Sequence, residues 1–146
     1  MTNNILFFLL PKSKVAYVEA DSTLRQVMEK LDYHGYTAIP ILTKDGHYYG
    51  TITEGDILRE IKRDDFKSLV EAENVTLKDI ERKHDCVPIH STETMENLLM
   101  TAVDQNFVPV LDDNDVFIGI ITRKSIIVSA LNDLNMNKNN KEKWYE

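Results

Sequence analysis

Arg123 and Lys124 follow Thr122 at the head of an apolar-periodic run, in the string Thr122-Arg123-Lys124-Ser125. A guanidinium can bond two oxygens of one phosphate. A helix start adds free N–H groups and the positive end of the helix dipole. Lys14, just ahead of a short extended stretch, is a second cation in a telling place. Most lysines and arginines lie on solvated faces, so these residues do chemistry only if the fold brings them together. Other chemistries find less support. His34, His47, His84 and His90 are scattered without metal-ligand spacing, so no metal site is expected. Cys86 falls in an expected strand and reads as a small buried hydrophobe rather than a nucleophile. Met28, Met95 and Met100 lie in expected helices and read as core or interface. The chain has no Gly-x-x-x-x-Gly-Lys loop, no Gly-x-Ser-x-Gly elbow and no Gly-x-Gly-x-x-Gly turn. No nucleophile and base stand out as a pair, so no catalytic residue and no cofactor are assigned from the residues themselves, although absent motifs do not exclude catalysis.

Composition narrows the rest. The 146 residues carry 24 acidic and 17 basic side chains, a formal net charge of −7. Such a chain repels a phosphate backbone, which argues against general nucleic-acid binding. A lone cysteine cannot form an internal disulfide, which fits a reducing compartment. The apolar run over residues 5–10 is far shorter than the roughly 20 residues of a spanning helix, and no signal-peptide pattern is visible. A soluble, cytoplasmic protein is the expectation, with no membrane partner.

The elements that must position the cations are repeated. Pro40 and Pro109, Gly50 and Gly119, and Thr53 and Thr122 all stand 69 residues apart, within matching apolar patterns. Upstream, residues 15–18 match residues 86–89 at a spacing of 71, and Leu24, Val27, Met28 and Leu31 match Met95, Leu98, Leu99 and Ala102. Each copy reads strand, helix, strand, turn, strand, helix. Ser22 or Thr23 can cap the first helix, Gly35 can end it, and Asp45-Gly46 marks a hairpin. The expected fold is α/β (α+β), two β-α-β-β-α repeats. Repeat one with an N-terminal helix covers residues 1–63, an acidic linker 64–75, repeat two 76–132, and a frayed tail 133–146. Two copies are too few for a solenoid, so a closed pair is expected.

These strings resemble tandem cystathionine-β-synthase (CBS) domains, the pair called a Bateman module. Gly50-Thr51-Ile52-Thr53-Glu54-Gly55-Asp56 is similar to that family's pattern of Gly, two apolar residues, Thr, two variable residues and Asp. Residues 14–18 and 35–40 look most like the small stand-alone CBS proteins of Gram-positive bacteria that bind cyclic di-AMP. The resemblance implies two repeats related by a pseudo-two-fold axis, with a nucleotide cleft at each sheet edge. It implies that a base lies against the first strand and the Gly-x-x-x-x-Pro segment, and that Thr-x-x-Asp reaches ribose and phosphate. Carried onto this chain, the expected ligand site is Lys14, Val15, Ala16, Tyr36, Thr37, Ala38, Ile39, Pro40, Thr122, Arg123 and Lys124. Arg123 is the expected phosphate contact. A weaker second cleft would use Thr53, Asp56, Cys86, Val87 and Phe107.

The copies differ in charge. If each cleft takes its first strand from one copy and its helix start from the other, one gathers Lys14, Arg123 and Lys124. The other gathers Asp85, Glu54 and Asp56. One phosphate-competent site per chain is therefore expected. Ser125 replaces the family's Asp, which removes both a ribose acceptor and a negative charge. The resemblance also implies a regulator rather than a catalyst. It would bind cyclic di-AMP, or alternatively AMP, ATP or S-adenosylmethionine, or serve as a ligand-free dimerisation module. Its expected partners are a second copy of itself, through the helical faces near 57–61 and 126–131, and a stringent-response or metabolic enzyme controlled in trans.

Overall fold

The computed structural model describes residues 4–64, 69–83 and 85–144. A 3-10 turn at Ile5–Phe8 leads into β1 (Leu10–Pro11). Repeat one continues with β2 (Val18–Glu19), α1 (Leu24–His34), β3 (Ala38–Leu42), β4 (Tyr48–Thr53) and α2 (Glu54–Asp64). A short helix, α3 (Leu69–Ala72), and a 3-10 turn at Leu77–Asp79 precede repeat two. There follow β5 (Ile89–His90), α4 (Met95–Ala102), β6 (Phe107–Leu111), β7 (Phe117–Thr122) and α5 (Arg123–Trp144).

Local chemistry sets the element ends. Thr23 and Gln26 form a reciprocal capping box at the start of α1, and Gly35 ends it in the left-handed region at φ 67°. Leu24, Val27 and Leu31 form its buried face, each worth about 1.5–3 kcal/mol of burial. Thr94 caps α4 by accepting from the Asn97 N–H at 3.2 Å. The sheets are β2-β3-β4 in repeat one and β1-β7-β6-β5 in repeat two. In each, a parallel pair is followed by an antiparallel hairpin with matching register, Pro40 opposite Thr51 and Pro109 opposite Ile120.

Each repeat is completed by the segment that precedes the other. Ile5 and Phe8 are buried in the core of repeat two. Ala72, Leu77 and Ile80 are buried in the core of repeat one. β1 pairs antiparallel with β7 rather than with its own repeat, and the Leu77 N–H donates to Ser22 O at 3.0 Å. A third cluster joins the two hairpins. Leu42, Leu111 and Phe117 are its buried members, and the Phe117 N–H donates to Gly46 O at 2.9 Å. This exchange is the physical reason that each cleft is built from both copies.

Gly119 shows how close the crossing is. A Cβ there, at φ 154°, would stand 2.1 Å from the Leu10 carbonyl oxygen, so β1 lies where a side chain would be.

Several expectations change. The frayed tail is replaced by helix: α5 continues to Trp144. No Gly or Pro interrupts it, and extending a nucleated helix costs little. The expected linker contains α3, whose Ala72 reaches the core, while residues 65–68 lie outside the described residues. The first strands are shorter than expected, so Cys86 precedes β5 rather than lying in it. The N-terminal and second leader helices are single 3-10 turns. Met28 and Met95 pack against the cores, whereas Met100 is exposed. No helix among the described residues is long and apolar enough to cross a membrane.

Candidate functional site

A cleft of about 230 Å³ lies where the two repeats meet. Repeat one supplies Lys14, Val15 and Ala16 from the segment before β2, and Tyr36, Ala38 and Pro40 from the loop after α1 and from β3. Repeat two supplies Asn106, Phe107, Ile120 and Thr122, and Leu10 of β1 closes the wall. Strand alternation explains the selection. Ala38 and Pro40 face the cleft, while Ile39 and Ile41 between and beyond them are wholly buried in the core. The Thr122 hydroxyl caps α5 by accepting from the Ser125 N–H at 3.1 Å, and a hydroxyl used as an acceptor still carries its own donor. A larger hollow of about 660 Å³ shares Leu10 and Thr122 with this cleft and adds Phe7, Lys124, Ser125 and Val128.

The cations around this region divide into free and engaged. Lys14 is exposed and lines the cleft. Lys30 donates to Tyr17 O at 2.5 Å and lies 5.6 Å from the Tyr17 ring centroid, and Lys12 lies 5.4 Å from the same ring. Arg123 turns away. Its Nε donates to Ala102 O at 2.8 Å and its Nη2 to Val103 O at 3.0 Å, so it closes the C-terminal end of α4.

The matching region on the other side of the pseudo-axis is filled by side chains. Asp85 accepts from the Thr51 N–H at 2.9 Å and from Arg82 Nε at 2.9 Å. That bond and the nearby charge hold the Arg82 guanidinium more firmly protonated. Arg82 also covers the Tyr49 ring at 4.8 Å. A Cβ on Gly50 would stand 2.8 Å from both Arg82 Nη2 and Asp85 Oδ1. Asp56 is 1% exposed; it accepts from the Thr53 and Lys83 N–H groups and pairs with Arg59. Tyr48 donates to Cys86 O at 3.1 Å and shares a hydrogen bond with Thr51 Oγ1 at 2.6 Å. Burial pushes both the Tyr48 phenol and the Cys86 thiol up from their ordinary values, which keeps the thiol protonated.

The CBS-domain pattern matches residues 9–63 and again residues 77–132. The chain belongs to the CBS-domain family. It is 34% identical over 130 residues to the cyclic di-AMP receptor B of Bacillus subtilis (strain 168), covering 86% of this chain and 84% of that protein. A crystal structure of CbpB in complex with c-di-AMP matches with a TM-score of 0.81 at 29% identity, covering 94% of this chain and 90% of that one. CbpB from Streptococcus agalactiae matches with a TM-score of 0.77 at 29% identity, covering 93% and 84%.

Within the CBS pair, the structure brings together Lys14, Val15, Ala16, Tyr36, Ala38, Pro40 and Thr122 in one cleft. Lys124 lines the adjoining hollow. Three expected residues stand elsewhere. Ile39 is in the core because it is one residue out of phase with Ala38. Thr37 is not among the lining residues; its carbonyl accepts from the Glu54 N–H at 2.9 Å. Arg123 is spent on α4. Phe107, expected at the second cleft, lines the first. Leu10, Asn106 and Ile120 are lining residues that the sequence reading missed. The repeat offset marks Asn106 and Ile120 as counterparts of Thr37 and Thr51, and only the crossing of β1 onto β7 reveals Leu10. Of the histidines, His90 pairs with Asp115 at 2.6 Å, His47 Nδ1 meets Asp115 O at 3.0 Å, and His84 lies outside the described residues. Among the described residues no group of His, Cys, Asp and Glu is arranged to hold a metal ion.

Proposed function

We propose that this CBS protein is a non-catalytic cyclic di-AMP receptor that controls partner enzymes. The observation that carries the reading is the open first cleft, where the small residues Ala16 and Ala38 leave backbone accessible and Lys14 supplies a free cation. One adenine of the ligand lies in this cleft. The second nucleotide extends past Thr122 into the hollow beside Lys124. The family and the two c-di-AMP-related relatives support the same ligand. A thermal-shift panel with cyclic di-AMP, AMP, ATP and S-adenosylmethionine tests the choice, because a ligand that binds only the folded state raises its apparent stability. Cyclic di-AMP is expected to give the largest shift at equal concentration, with one ligand per chain by calorimetry. A larger shift from S-adenosylmethionine or AMP replaces the reading.

The signal leaves through surfaces. Two apolar grooves occupy equivalent places, one lined by Met28, Leu31, Ile57, Leu58 and Ile61, the other by Leu99, Ala102, Val103, Ile126 and Ile127. They fit a homodimer built on α2 and α5, which light scattering checks. The ligand shifts the pair between forms only through its differential affinity for them. A cytoplasmic stringent-response or metabolic enzyme is the proposed client. Pull-downs with and without cyclic di-AMP test it, and recovery of the same proteins in both refutes ligand control.

A further inference from the structure

The Gln105 side chain holds the backbone ahead of β5 in a specific way. Its Oε1 accepts from the Val87 N–H at 2.6 Å, and its Nε2 donates to Val87 O at 3.1 Å and to Phe107 O at 3.2 Å. A carboxamide presents an acceptor and a donor side by side. Adenine presents the same pair through a ring nitrogen and its exocyclic amino group. The N–H and C=O of one extended residue can therefore hold either partner. By the repeat offset Val87 is the counterpart of Ala16, Phe107 of Ala38, and Gln105 of Tyr36. Tyr36 carries no amide, and its ring stacks on His34 at 5.2 Å with an interplanar angle of 12°.

We infer that Gln105 is the resident occupant of the second cleft, a side chain that satisfies the base-reading backbone in place of a purine nucleoside. The inference rests on the reading that Ala16 and its counterpart are base-reading positions. Gln105 is tethered, so it competes with a free base at a high effective concentration. The Arg82–Asp85 pair stands over Gly50 in the same region. An occupied base position therefore accounts for an open first cleft beside a filled second one. Gln105 is the residue that decides which cleft takes a ligand.

Adenosine is the probe, because it carries no phosphate for the acidic side to repel. The full chain, Gln105→Ala and Gln105→Glu are titrated by calorimetry. Gln105→Ala is expected to bind one more adenosine per chain than the unaltered protein. Gln105→Glu, which keeps the size and loses the donor, is expected to bind adenosine in the second cleft more weakly than Gln105→Ala. An equal adenosine count in the unaltered protein and Gln105→Ala, zero included, overturns the inference. Should the variants fold poorly, NMR of the unaltered chain decides. The Gln105 carboxamide signals are expected to stay in place at saturating adenosine, and their displacement overturns the inference. The cyclic di-AMP shift of the unaltered protein is read separately. Its absence sinks the receptor reading, whereas a gained adenosine site in Gln105→Ala stands without it.

Discussion

Ala16, Tyr36 and Ala38 in the first repeat correspond to Val87, Gln105 and Phe107 in the second. One set lines an open cleft. In the other, a glutamine amide holds the strand backbone and an Arg82–Asp85 pair covers Gly50. Two copies with the same strand order and hairpin register thus differ here through a few side chains. The carboxylates of the second cleft are engaged within the protein, Asp56 with backbone and Arg59, and Asp85 with Thr51 and Arg82. Asp56, buried and fully paired, acts as structure, whereas Asp85 remains exposed.

The comparison can be broken at its crossings first. At Gly119 the obstacle is backbone, the Leu10 carbonyl, whereas at Gly50 it is the ends of two side chains. Gly119→Ala should cost about 3 kcal/mol in urea unfolding, from the strained φ and the overpacking together. Gly50→Ala should cost about 1 kcal/mol, since Arg82 and Asp85 can move aside. Equal losses would remove the asymmetry.

Filling the open cleft tests binding next. Ala16→Trp should weaken cyclic di-AMP by about 100-fold by calorimetry, equivalent to about 2.7 kcal/mol, while Val87→Trp leaves the affinity unchanged. A matching loss from Val87→Trp shows that both clefts take the ligand.

Arg123 separates the sequence reading from the structure. The sequence made it the phosphate contact. The structure makes it the closure of α4, so Arg123→Met should lower stability by about 1–2 kcal/mol. Loss of cyclic di-AMP binding at unchanged stability restores the phosphate role. A smaller effect is expected at Lys14, which is exposed. Lys14→Met should weaken cyclic di-AMP about fivefold at low salt and adenosine hardly at all.

Cys86 gives the mildest test, of the packing around the closed cleft. Burial raises its thiol above the ordinary value of 9.0. A raised value means that this contribution to stability is complete below pH 9.0 and is lost as pH rises through the folded value. Iodoacetamide at pH 8 should therefore label the folded chain more slowly than the urea-unfolded chain. Equal rates contradict the burial.

Much of the scaffold was legible because local chemistry encodes it. Thr23, Gly35 and the Leu24, Val27, Leu31 spacing mark α1, and the Pro, Gly and Thr offsets mark the hairpins. The errors fell where neighbours decide. The helix beyond residue 132 looked like a tail because its exposed asparagines carry no apolar period. Ile39 looked like cleft wall because it adjoins Ala38 and Pro40, yet strand alternation turns it inward.

By itself, then, the sequence determined two repeats, their element order, the family and many of the residues that line one cleft between the repeats. These depend on capping, periodicity and turn residues, which act over a few positions. Only the tertiary structure decided which segments cross between repeats, where Arg123 points and what fills the second cleft. Those outcomes depend on hydrogen bonds between residues far apart in the chain, such as Arg123 to Ala102 and Gln105 to Val87. A one-dimensional pattern records the residue types in such pairs but not their approach.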